Sequence, residues 1–200
     1  MKPPRPAKGV QRFLSHEQLA RLADECGASG PQYRTLVLFL GYTGLRWGEA
    51  RALRVKHIDL MRRRVEVQDN IPDGYGEADT VTPKSHRRRT VPLPALVAEE
   101  FVAVLAGRSP GDLVFVNASG GLLDNSGFRR NVFDPSVRAL GLSPFTPHNL
   151  RDTAASLAVS AGANVKVVQR MLGHASGCDD ARRLQRVVRR RSRPGRIAPR

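Results

Sequence analysis

Two arginines and two histidines have the residue types and local settings needed to hold a phosphate. Arg46 stands in TGLRWGEA, His148 and Arg151 in TPHNLRDTAAS, and His174 after the glycine of MLGHAS. Three positions separate His148 from Arg151, so on a helix both side chains share one face. The helix begins at the Thr146–Pro147 pair, and helix N-termini attract anions through their free amides and macrodipole. An arginine fork adds permanently charged donors that match two phosphate oxygens at once. Arg46 follows a glycine break, from which a side chain can project into a cleft. Each residue alone has a plainer reading: Arg46 could pair with Glu49, and a histidine at a helix end is commonly a cap. Together they describe a site for a phosphodiester.

Those residues need elements to hold them. The first helix opens at Ser15, where Gln18 completes a capping box and Leu14 with Leu19 can form a hydrophobic staple. A very apolar helix near Gln32–Tyr42 should be buried, with Gly44 as its left-handed end. A short helix carries Trp47–Leu53. IDLMRRRVEVQ reads as a turn into a strand with Val65 and Val67 on one face. Further strands are expected around Thr80–Val81 and Arg88–Val91. Pro94 begins a helix through Leu105, LVFV at 113–116 is buried, and Asn125 can cap a helix through Phe133. Thr146 caps the next helix, which ends at Gly162, and Val165–Leu172 forms another, stopped by Gly173. The expected class is α+β: mainly helical, with one small antiparallel sheet.

The 200 residues fit one globular domain, with 40% hydrophobic residues for a core. The net charge of +15 points to a polyanion, with nucleic acid foremost. Residues 178–200 hold nine arginines against two aspartates, which supplies +7 and leaves the rest clearly basic at +8. The expected organisation is a disordered basic lead over 1–13, a domain over 14–177 and an arginine-rich tail over 178–200. Two cysteines, Cys26 and Cys178, match neither a disulfide framework nor a metal spacing, which suits a reducing cytoplasm. Cys26 reads as a small core residue. No stretch has the length of a bilayer span, and the first residues lack a signal-peptide core.

The boxes, taken in order, resemble the catalytic domain of tyrosine recombinases, the phage integrase family. TGLRWGEARALRVKHIDL is similar to that family's first-arginine box. TPHNLRDTAASLAVSAGANVKVVQRMLGHAS resembles its H-x-x-R and L-G-H boxes, and TPKSHRRRTVPL its lysine-bearing β-hairpin. Asp152 stands where many relatives carry histidine. The resemblance implies roles. Arg46 and Arg151 clamp the scissile phosphate, Lys84 protonates the departing 5′ oxygen, His148 moves the nucleophile's proton, and His174 hydrogen-bonds a phosphate oxygen. Arg87, Arg88 and Arg89 lie near the DNA backbone, against a competing reading as a charged edge strand that blocks aggregation. No metal or other cofactor, no small-molecule substrate and no membrane is implied. The partners are double-stranded DNA and other recombinase subunits.

One member of the set is absent. The family reaction needs a tyrosine downstream of the L-G-H histidine; position 184 is leucine, and no tyrosine follows His174. Tyr33 and Tyr42 belong to the apolar helix and Tyr75 to a turn. Back-translated with GC-rich codons and read one nucleotide later, Cys178–Gln185 can become a stretch with a tyrosine over Leu184 and Gln185. The residues from about Gly177 are therefore expected to be an out-of-frame tail, with a natural basic extension as the alternative. Coding DNA without a tyrosine codon in the shifted frame excludes the frameshift. The chain also starts where relatives carry a preceding DNA-clamping domain. The expectation is weak, salt-sensitive duplex binding without cleavage. A non-enzymatic regulator or synapse partner and an inert product are the alternatives.

Overall fold

The computed structural model describes residues 13–76 and 88–173. The expected strand at Thr80–Val81, Lys84, Arg87, His174, Cys178, the basic lead to residue 12 and the arginine-rich tail lie outside them.

Local chemistry sets the first elements. Ser15 Oγ accepts from the Gln18 N–H at 3.2 Å while Gln18 Oε1 accepts from the Ser15 N–H at 3.0 Å. This reciprocal cap starts α1, His16–Gly27. The apolar run forms α2, Pro31–Thr43, buried along most of its length, and it ends at Gly44 with φ +66°. A Cβ at Gly44 would lie 2.4 Å from Leu172 Cδ2, so both backbone and space require glycine there. The short α3, Trp47–Arg51, follows at once.

A three-stranded antiparallel sheet comes next, in the order β1 (Ile58–Asp59), β2 (Arg64–Val67), β3 (Arg89–Pro92). Val65 pairs with Val91 and Val67 with Arg89. Val65 and Val67 are buried while Arg64 and Glu66 face out, as a strand with one wet face requires. Then follow α4 (Ala95–Leu105), α5 (Asn125–Phe128), α6 (Asp134–Ala139), α7 (Pro147–Ser160) and α8 (Val165–Leu172). Mainly helical with a small antiparallel sheet, this is the α+β class expected.

Several boundaries differ from expectation, among them the short helix α3, which ends at Arg51 and not at Leu53. Pro94 is the residue before α4, not its first position. Asp124, not Asn125, caps α5, because its carboxylate accepts from the Gly127 N–H at 2.5 Å. The helical path also continues past Phe133. A π-turn over Arg129–Phe133 leads into α6, and this wider turn makes room for Pro135, the second residue of that helix.

The core gathers Phe39, Phe101, Phe115 and Phe133, all fully buried, with Phe39 edge-on to Phe101 at 5.3 Å. Each such ring contributes roughly 1.5–3 kcal/mol by leaving water. Helix α2 runs through this core and packs on α1, α4 and α7. The Leu14 N–H donates to Thr153 Oγ1 at 3.1 Å, tying the chain's described start to α7. That seats α7, which carries His148 and Arg151, against the residues that lead into α1. Among the described residues no helix is long and apolar enough to cross a membrane.

Candidate nucleic-acid interface

A cleft of about 460 Å³ opens where α3, α5 and the start of α7 meet. Arg46, His148 and Arg151 all line it. Two segments about a hundred positions apart thus bring three of the five expected chemical residues to one cavity. Lys84 and His174 lie outside the described residues.

Arg46 occupies the residue before α3, with extended backbone (φ −70°, ψ 152°). Its side chain is 43% exposed, so the guanidinium reaches solvent at the cleft. Its backbone N–H donates to Glu49 Oε2 at 2.8 Å, and Nη1 reaches Glu49 Oε1 at 3.4 Å. Both the cleft position and the suspected Glu49 pairing are therefore present. The backbone bond fixes where the side chain starts, and the long, exposed side-chain contact leaves its head adjustable.

Arg151 is in the opposite situation. Only 7% exposed, it donates from Nη1 to the Gly44 carbonyl and from Nη2 to the Leu172 carbonyl. Gly44 lies two residues before Arg46, and Leu172 two before His174. One buried guanidinium therefore joins the backbones that lead to two other site residues. A buried arginine must have its donors met, and main-chain carbonyls do so without adding a counter-charge. His148 is exposed one turn earlier. The Thr146 N–H and Oγ1 both donate to Asn149 Oδ1 at 2.9 Å, which sets the start of α7 beneath it.

The arginines at the entry to β3 divide. Arg88 is exposed. Arg89 points inward, where Nη1 and Nη2 meet Glu49 Oε1 and Oε2 at 2.9 and 2.7 Å. Its side chain is 12% exposed and that of Glu49 1%. An ideal Cβ on Gly173 would come within 3.0 Å of the Arg89 guanidinium. Arg89, which the resemblance places near the DNA backbone, thus spans from Glu49 to the residue before His174. Burial raises the Glu49 carboxyl. The Arg89 hydrogen bonds and charge, with those of Arg46, outweigh it and hold the group below its ordinary value. Glu49 was legible only as a neighbour of Arg46; its main partner is 40 positions away.

The remaining candidates sit elsewhere. Tyr33 and Tyr42 pack on the core and Tyr75 is exposed, so none of the three tyrosines in the chain lines the cleft. Tyr42 also meets His16 Nδ1 through its hydroxyl at 3.0 Å. Cys26 is buried, which pushes its thiol up to about 11. Among the described residues no group of three or more metal-binding side chains is placed to hold an ion.

Comparison with known proteins gives a consistent answer. The family described as the phage integrase family matches residues 12–178. Tyrosine recombinase XerD of Mycobacterium leprae is 31% identical over 194 residues, covering 88% of this chain and 57% of that protein. Tyrosine recombinase XerC of Bacillus subtilis is 27% identical over 176 residues, covering 86% and 56%. The chain thus spans little more than half the length of these relatives. Among solved structures, the Tn1549 transposon integrase in complex with a circular intermediate DNA superposes with a TM-score of 0.73 at 19% identity, over 92% of this chain and 62% of the other. XerA recombinase superposes with a TM-score of 0.70 at 24% identity, over 98% and 68%. Both are similar in fold.

Proposed function

This chain belongs to the phage integrase family, and from that premise we propose that its cleft seats one phosphate of duplex DNA and that the chain does not cut the strand by itself. The observation that carries the reading is the convergence of Arg46, His148 and Arg151 on one cavity. Two guanidinium groups and an imidazole are suited to a phosphodiester and to the extra charge that develops on attack. The net charge of +15 supports a polyanionic partner, and the Tn1549 integrase neighbour is itself a DNA complex.

The residues divide the work. Arg46 brings an adjustable cation from solvent, and Arg151 supplies a fixed one. His148 stands at the mouth, within the cleft lining, to take or give a proton. Lys84 serves as general acid, His174 as a further donor to phosphate, and Arg87 and Arg88 as backbone contacts. The attacking phenol is what the chain lacks: no tyrosine follows His174, and none lines the cleft. Without a nucleophile, binding persists and covalent chemistry stops. On this reading the chain works on DNA in the cytoplasm, alone or beside other recombinase subunits, with no cofactor or small-molecule substrate.

A suicide-substrate duplex tests both halves. The expected result is duplex retention that weakens as salt rises, with no covalent adduct. A version whose C-terminal reading frame is restored by one nucleotide is expected to form the adduct. A covalent adduct with the unaltered chain, or retention indifferent to salt, overturns the proposal.

A further inference from the structure

The cleft has a second wall with a different chemical character. Trp47, Asn70, Asp73 and Asn125 line it alongside the cationic group. Trp47 stacks on Phe128 at 5.1 Å, which ties it to α5, and Asn125 at the start of that helix donates from Nδ2 to Asp73 Oδ2 at 3.0 Å. Two polar atoms here are buried without a hydrogen-bond partner: Trp47 Nε1, a donor, and Asn125 Oδ1, an acceptor. Unpaired buried polar atoms are costly and uncommon, and when they line a cavity they mark where a ligand's groups belong.

We propose that this wall is a base-edge subsite, taking an amino-bearing nucleobase beside the phosphate held by Arg46, His148 and Arg151. The inference rests on the phosphate reading above and names what lies next to that phosphate. A second phosphate does not fit, since it offers only acceptors: it could meet the indole N–H but not Asn125 Oδ1. The Asp73 carboxylate would also repel it. The sugar of DNA carries no free hydroxyl within the strand. Only a base edge presents a donor and an acceptor together, and carboxylate and amide oxygens are the groups that accept from an exocyclic amine. The bond from Asn125 Nδ2 to Asp73 holds the amide in the cleft wall with Oδ1 unpaired.

Trp47 is the only tryptophan in the chain, so its indole N–H gives one isolated nitrogen–proton resonance. The ¹⁵N-labelled full chain is titrated with the dinucleoside monophosphate of deoxycytidine, with a thymidine ligand methylated at N3, whose base has no N–H donor, and with inorganic phosphate. The expected result is that the deoxycytidine ligand moves the indole resonance and binds about threefold to tenfold tighter than the thymidine one, the worth of one to two hydrogen bonds. Trp47→Phe, which keeps the stack on Phe128, and Asn125→Leu should each erase that preference while leaving the affinity for the thymidine ligand. Backbone amides near Gly44 and His148 report binding where the indole is gone. Equal affinities, with an unmoved indole while the His148 amide moves, overturn the subsite and leave the phosphate reading standing. No movement at His148 with any ligand, duplex DNA included, overturns both. If Asn125→Leu does not fold, the unaltered chain and Trp47→Phe decide.

Discussion

The guanidinium of Arg151 hydrogen-bonds the main-chain carbonyl of Gly44, 107 positions away in sequence. Through that bond the start of α7 and the turn before Arg46 hold a fixed relation, and the second bond, to Leu172, adds the end of α8. The two arginines of the cleft therefore differ in kind: one is built into the fold and the other reaches the surface with one long side-chain contact to Glu49.

That difference is measurable. Arg151→Ala should destabilise the chain by about 3 kcal/mol, since it strips two buried carbonyls of their donors. Arg46→Ala should change stability by less than about 0.5 kcal/mol, as surface substitutions do. It should weaken duplex binding and reduce the slope of log affinity against log salt by about 0.9, the loss of one phosphate contact. Urea unfolding and fluorescence anisotropy in a salt series separate the two. Equal destabilisation by both variants would contradict the assignment.

Gly44→Ala should cost about 2 kcal/mol or more. A left-handed φ of +66° and a Cβ at 2.4 Å from Leu172 Cδ2 combine strain with a clash. Because Leu172 must move, the Arg151 bond to its carbonyl should loosen as well, and duplex affinity should fall along with the melting temperature. A variant with unchanged melting temperature would show that the turn is not so confined.

Glu49→Gln leaves Arg89 buried with no counter-charge, at a cost of about 3 kcal/mol. The carboxyl's folded pKa is lowered. Its stabilisation is thus fully present above the ordinary carboxylate value of 4.5 and is lost as pH falls through the lower folded value. Unfolding free energy followed from pH 7 downward should show an acid limb in the unaltered chain that is diminished in Glu49→Gln.

His57 gives a second pH dependence. It is 5% exposed, and its Nδ1 accepts from the Arg54 N–H at 3.2 Å, which requires the unprotonated nitrogen. Burial chiefly lowers its pKa; Asp69 and Glu66 oppose that, while Lys56 and Arg54 add to it. A histidine whose folded pKa is lowered binds its proton first in the unfolded chain. Stability should therefore decline as pH drops below the ordinary value of 6.5 and level off beneath the folded pKa. His57→Gln should flatten that limb, and an unchanged profile would exclude His57 as its source.

Features set by neighbours in sequence were open to reading. The Ser15–Gln18 cap, the left-handed Gly44 and the alternation at Val65 and Val67 each follow from residues a few positions apart, and each is present. The helix after Phe133 was hidden because Pro135 resembles a stop, and only the π-turn before it makes room. The cleft's chemistry was half visible. Residue type and helical spacing mark His148 and Arg151, but nothing local tells that Arg89 turns inward to Glu49, or that Trp47 and Asn125 carry unpaired atoms. Those are facts of long-range approach, decided when β3 and α5 close on α3.

The Arg151 bonds also bear on how members of such a family are counted. Selection for a foldable chain alone would preserve this arginine after every trace of enzymatic usefulness had gone. A census that equates the presence of the signature with a working enzyme would then overstate the living ones, and Arg46, which the scaffold can spare, is the more truthful witness.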